Sequence, residues 1–217
     1  MDQCWINKKQ NSTCILFFNG WGMDVNAIAH LKSDGFDLCM FTNYRNIEPV
    51  RDNMAIYQTI ILVAWSLGVW AAEQVISRSD ITIHKSIAIN GTSCPVHDQY
   101  GIPHKIFSMT LQSWNDASKV KFNNRMMGGN QHSKEYKRFL SSRSSNDQKE
   151  ELQAIYSTHK NLVQPINWSV SLVGMNDLIF PAANQLNWWT GKTKITETSQ
   201  PHFPFTGFQG WDQLLIL

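Results

Sequence analysis

Charge is scarce in this 217-residue chain and nearly balanced, with 19 Lys/Arg against 17 Asp/Glu and a formal net charge of +2. That balance removes any whole-molecule electrostatic case for nucleic-acid binding. Cysteine is sparse too: Cys4, Cys14, Cys39 and Cys94 form no Cys-x-x-Cys pair and no His/Cys metal spacing, so zinc and redox motifs are excluded. No apolar run is long enough to span a bilayer, and Met1–Lys9 carries no apolar leader. A cytoplasmic protein with reduced thiols, no metal and no membrane partner is therefore expected. Three Asn-x-Ser/Thr sites, at Asn11, Asn90 and Asn167, read as chance matches in an asparagine-rich chain without an export route. Low-complexity tracts are missing, and the length suits one substantial core better than two large domains.

What is present is a succession of short apolar runs closed by turn residues. Cys14–Phe18 reads as a buried strand ended by Asn19-Gly20, and Phe36–Phe41 as a second. Between them Ala27–Leu31 is helix-compatible. Ile60–Ala64 predicts a third strand followed by a helix over Leu67–Ser77. Ser86–Asn90, Trp168–Val173 and Ile195–Ser199 predict three more strands. Strands alternating with helical stretches imply an α/β fold, a parallel sheet with helices on both faces.

The third strand runs into Ala64-Trp65-Ser66-Leu67-Gly68, a serine with small residues two before and two after. This is the form of a nucleophile elbow, where strand and helix backbones pass so close that bulk is excluded at the flanking positions. The alternative is a helix N-cap serine after a buried strand. A serine hydroxyl needs an adjacent base, itself oriented by a third group, and in elbow folds the order is serine, acid, histidine. Asp177 meets the acid's requirement just beyond the strand ending at Val173-Gly174, although an Asx turn entering the next helix also accounts for it. His202 follows the last strand in Gln200-Pro201-His202-Phe203-Pro204-Phe205. The other six histidines, at 30, 84, 97, 104, 132 and 159, all precede the acid. Oxyanion donors are expected from the backbone N–H of Leu67 and from the N–H of Trp21 in Asn19-Gly20-Trp21-Gly22-Met23-Asp24.

Between about residues 110 and 164 strand signals vanish and a polar, helical insertion is expected. From Lys119 to Lys160 it holds nine Lys/Arg and four Asp/Glu, an excess of five where the whole chain has two. This is either a solvated helical face or a lid over the sheet's C-terminal edge with a basic surface for an acidic partner.

With Phe17–Asp24, Ala64–Gly68, Asn90-Gly91-Thr92 and the Gly174…Asp177…Pro181 turn assembled, the chain resembles an α/β-hydrolase. It is similar in particular to the short pimeloyl-acyl-carrier-protein methyl ester esterases of bacterial biotin synthesis. Asn19 stands where His-Gly is usual and Ala64 where glycine is usual; the short family tolerates both. The resemblance implies a minimal α/β-hydrolase, a single domain over residues 1–217 with a small helical lid at about 110–164. It implies a monomeric serine esterase without cofactor, with Ser66 as nucleophile, His202 as base, Asp177 as its orienting acid, and Trp21 and Leu67 at the oxyanion. Its partner would be acyl carrier protein, whose acidic helices would meet Lys121, Arg125, Lys134, Lys137, Arg138 and Arg143. A general short-acyl esterase or thioesterase without carrier preference is the neighbouring alternative. A non-catalytic hydrolase-fold binding protein is the alternative from another class, and three triad residue types in order argue against it.

Overall fold

The structure is a computed structural model that describes residues 1–129, 134–161 and 163–217, with the backbone alone at Lys134 and Glu135. Strands β1 (Asp2–Asn7), β2 (Thr13–Phe18), β3 (Asp37–Thr42), β4 (Thr59–Trp65), β5 (Lys85–Ile89), β6 (Val170–Gly174) and β7 (Lys194–Thr198) form one sheet. Their order is β1-β3-β2-β4-β5-β6-β7. Every neighbouring pair is parallel except β1 with β3. Because side chains alternate along a strand, the sheet has two apolar faces. Leu16, Phe18, Leu62 and Ala64 join one core, while Ile15, Phe17, Val63 and Trp65 join the other. A central parallel sheet buried on both sides needs continuous apolar runs, which is what β2 and β4 supply.

Helix α1 (Leu67–Ile76) leaves the end of β4 and is buried along its whole length. Three helices, α2 (His104–Ser113), α3 (Asp116–Met126) and α4 (Ser145–Thr158), fill the segment between β5 and β6, joined by a 3-10 turn at Lys134–Phe139. The helical region thus begins at His104, six residues before the boundary read from sequence. Helices α5 (Ala182–Trp189) and α6 (Trp211–Leu215) follow β6 and β7. No helix among the described residues is long and apolar enough to cross a membrane.

Two sequence expectations are corrected. The helix expected at Ala27–Leu31 is only a 3-10 turn, Val25–Ala27, opened by Asp24, whose side chain accepts the Asn26 N–H. Strand β1 is the second: its apolar residues Cys4, Trp5 and Ile6 are consecutive between polar ones, without the alternation or the length that announces a strand. It is held by its ladder to β3 and by Asp52, which accepts from Gln3 and from the Trp5 indole at 3.1 Å. The four cysteines are free thiols, and burial pushes the pKa of the Cys14 thiol up to about 12.

Candidate active site

The parallel strands bring their C-terminal ends to one edge, where loops after β2, β4, β5, β6 and β7 converge. This is the edge at which open α/β sheets form their ligand crevices. At the end of β4 the chain reverses sharply into α1, and Ser66 adopts φ 58° and ψ −128°, a conformation that L-residues avoid and that marks functional turns. Close approach explains the glycines around it. A Cβ at Gly68 would collide with the carbonyl oxygens of Phe18 and Asn19, and one at Gly91 with that of Ser66. The Ser66 N–H is itself donated to the Ile89 carbonyl at 2.8 Å.

Ser66, Asp177 and His202, which lie on three separate loops, meet here. His202 Nδ1 lies 2.8 Å from Asp177 Oδ2, and His202 Nε2 lies 2.9 Å from Ser66 Oγ. An ionised carboxylate can only accept, so Nδ1 carries the proton of a neutral imidazole and Nε2 is left to accept from the serine hydroxyl. All three residues are buried, His202 at 2 % exposure. Asp177 also makes the Asx turn that was its alternative reading: Oδ1 accepts the Ile179 and Phe180 N–H groups at 2.8 Å each. The two roles use different oxygens and do not compete. The second oxygen also accepts from Gln185 Nε2 at 3.1 Å.

Asn90 is the residue at this corner to which the sequence reading gave no role. Fully buried, with φ 45°, it accepts the Gly174 N–H at 2.7 Å and donates to the carbonyls of Pro201 and His202 at 2.9 Å each. One amide therefore ties the end of β6 to the loop that carries His202. The Trp65 indole adds a second donor to the His202 carbonyl at 2.8 Å. The Asn90-Gly91-Thr92 motif was the signal available, but spacing alone does not say what its amide bonds.

Ser66 opens into an apolar slot whose walls include Leu67, Ile102, Ile106, Phe107, Phe122 and Ile179. Trp21 lines it as well, its indole N–H donated to the Gln148 carbonyl of α4 at 2.8 Å. The indole is thus committed, and the Trp21 donor left for an oxyanion is its backbone N–H, which has no partner among the described residues, like that of Leu67. Arg125 reaches the same slot from α3, its guanidinium donated to the Leu178 carbonyl at 2.5 Å.

The cations of the helical insertion divide. Lys121, Arg125, Lys137 and Arg138 are exposed, with the Arg138 guanidinium 4.7 Å from the Phe139 ring centroid. The side chain of Lys134 and all of His132 lie outside the described residues. Arg143 departs from the expectation: it is 14 % exposed and turned inward, bonded to Asp147 at 2.5 Å and to the buried Glu151 at 2.6 Å. Its charge is engaged by two carboxylates of α4. No group of three His, Cys, Asp or Glu among the described residues could hold a metal ion.

Comparison with known proteins gives the chain its fold and its relatives. The chain is 38% identical over 176 residues to a Bacteroides fragilis protein named malonyl-[acyl-carrier protein] O-methyltransferase, a match over 81% of this chain but only 36% of that relative's length. The crystal structure of BioG from Haemophilus influenzae superposes with a TM-score of 0.89 at 30% identity, covering 99% of each chain. A Rhodococcus 2-hydroxy-6-oxo-6-phenylhexa-2,4-dienoate hydrolase, at 11% identity and a TM-score of 0.66 over 99% of this chain and 91% of its own, shares the fold alone. The fold is that of an α/β-hydrolase. The family described as "Pimeloyl-ACP methyl esterase BioG" matches residues 1–214, and the chain belongs to that family.

Proposed function

We propose that this chain is a serine esterase that hydrolyses the methyl ester of pimeloyl-[acyl-carrier protein], releasing methanol and the free carboxylate for biotin synthesis. The observation that carries this is the Ser66–His202–Asp177 sequence of contacts at 2.9 and 2.8 Å, opening on an apolar slot. Ser66 Oγ attacks the ester carbonyl while His202 Nε2 takes its proton, and Asp177 stabilises the resulting imidazolium. The Leu67 and Trp21 backbone N–H groups bind the oxyanion. Collapse breaks the carbon–methoxy bond, His202 returns the proton to give methanol, and a water activated by the same histidine hydrolyses the acyl-serine.

An apolar slot suits a methylene chain capped by a methyl ester, and the carboxylate formed is poorly solvated there, which favours product departure. The name of the Bacteroides relative supports a carrier-bound substrate, since methyl transfer to a malonyl carrier creates the kind of ester that an esterase of this family removes. Lys121, Arg125, Lys134, Lys137 and Arg138 are the proposed contacts for the acidic carrier. Incubation with pimeloyl-carrier-protein methyl ester, read by conformation-sensitive gel mobility, tests the reaction. Equal rates on free and carrier-bound esters would instead favour a general short-acyl esterase or thioesterase.

A further inference from the structure

Helix α4 does more than cover the slot. Its buried carboxylate, Glu151, is 0 % exposed and accepts the Gly22 N–H at 3.2 Å and the Tyr44 N–H at 3.0 Å. The Tyr44 hydroxyl is donated in turn to the Asn19 carbonyl at 2.7 Å. One turn earlier in α4, Gln148 donates to the Gly22 carbonyl at 2.8 Å and its own carbonyl accepts the Trp21 indole at 2.8 Å. The loop after β2 is therefore gripped at Asn19, at the Trp21 side chain and at both ends of Gly22. Trp21 lies inside that grip. Gly22 sits at φ 71°, which glycine reaches as readily as negative φ, so the backbone's own preference does not hold the loop in this shape.

We infer that Glu151 is a positioning residue for the oxyanion site: through Gly22 and Tyr44 it fixes the backbone N–H of Trp21, so that transition-state stabilisation requires a docked lid. The inference rests on the serine-esterase reading above. A solvated surface carboxylate would serve as well for solubility alone, yet this one is sealed from water among two backbone donors and Arg143. Burial pushes its pKa up, against the opposing pull of Arg143 and those donors. A carboxylate retained in such a place is costly without a structural return. The return here is two acceptor oxygens facing two loops at once, which a neutral side chain cannot present.

The test uses Glu151→Gln in the full chain, with p-nitrophenyl acetate as a substrate too small to depend on carrier contacts. A trifluoromethyl ketone, whose adduct with Ser66 carries a tetrahedral oxyanion, is the second probe. The expected result is a fall in kcat of roughly 10- to 100-fold, with KM within about twofold and ketone affinity falling in step with kcat/KM. A lowered melting temperature with kcat per folded molecule unchanged, or a loss confined to KM, overturns the inference. Should Glu151→Gln fail to fold, Gln148→Met removes the grip on the Gly22 carbonyl while leaving the carboxylate in place. Its kcat is expected to fall roughly 3- to 10-fold with the same parallel in ketone affinity, and an unchanged kcat again overturns it. Ser66→Ala run alongside separates the two claims. If Ser66→Ala stays active the esterase reading itself falls; if it is inactive while Glu151→Gln and Gln148→Met are fully active, only the positioning role is lost.

Discussion

At the sheet edge, Ser66, Asp177 and His202 reach one another from three strand ends, and each is held through backbone groups and short-range amide contacts. Across the slot, α2, α3 and α4 are held differently. Buried apolar side chains such as Phe107, Leu111, Met126, Leu152 and Ile155 anchor them to the core, and charged contacts, Arg143 with Glu151 and Arg45 with Asp147, tie α4 to the neighbouring loops. The edge is rigid because ladders and turns over-determine it. The helical insertion adds to its apolar anchors a set of charged and polar contacts, which a single substitution can remove. The two regions meet at the loop after β2, where Glu151 and Gln148 of the lid bond Gly22.

The largest effects test the edge. Ser66→Ala should abolish ester hydrolysis by roughly 10⁴-fold or more in turnover, since triad members act as a unit. Steady-state rates on p-nitrophenyl acetate check it, and circular dichroism should show the fold intact. Asp177→Asn should bind substrate normally but lose roughly 10³- to 10⁴-fold in kcat, because the amide presents the wrong partner to His202 Nδ1 and selects the wrong tautomer. Retention of more than about a tenth of the activity, a barrier change of only about 1.4 kcal/mol, would move the acid to another residue.

Asn90→Ala sharpens the comparison without touching a reacting group. It leaves the buried Gly174 N–H without its acceptor and removes one donor from the His202 carbonyl. Stability should drop by about 1–3 kcal/mol for the unsatisfied group. If His202 is the base, displacing it by a fraction of an ångström should lower kcat by up to about 10²-fold. Denaturant unfolding measures the first and pre-steady-state acylation the second. Full activity in a destabilised protein would mean that Trp65 and the Asx turn suffice to hold the corner.

Much of the edge was legible in the sequence because its logic is local. β-branched runs announce the strands, and small residues around Ser66 announce the close approach. Chain order then picks Asp177 and His202 from the remaining acids and histidines. The lid was legible only as composition. Arg143 counted as a free cation, although Asp147 four residues on is the spacing of a helical ion pair. Glu151 counted as one solvated acid among four, because its bonds run to Gly22 and Tyr44, more than a hundred residues away. Nothing in local spacing reports such partners. Strand β1 escaped for a related reason: an edge strand needs little apolar alternation when its partner strand and Asp52 hold it.

The smallest effect tests the lid's outer face. Lys121, Arg125, Lys137 and Arg138 are exposed there, whereas Arg143 is engaged inside. If the exposed cations recognise an acidic carrier protein, reversing Lys134, Lys137 and Arg138 together to glutamate should raise KM for the carrier-bound ester. Small p-nitrophenyl esters should be hydrolysed as before. Exposed pairs contribute only about 0–1 kcal/mol each, so the triple change should raise KM roughly tenfold and single changes should be hard to detect. Added salt should erode the wild-type preference for carrier-bound ester, because the Debye length is only about 8 Å at physiological ionic strength. Arg143→Glu is the informative control. It places a second carboxylate beside buried Glu151, at a cost of about 3–5 kcal/mol for a broken buried pair, and should impair both substrates alike by undocking α4. A triple variant that behaved like Arg143→Glu, losing both activities together, would show that the outer charges also serve lid docking, and the division between an inner lock and an outer recognition face would fall.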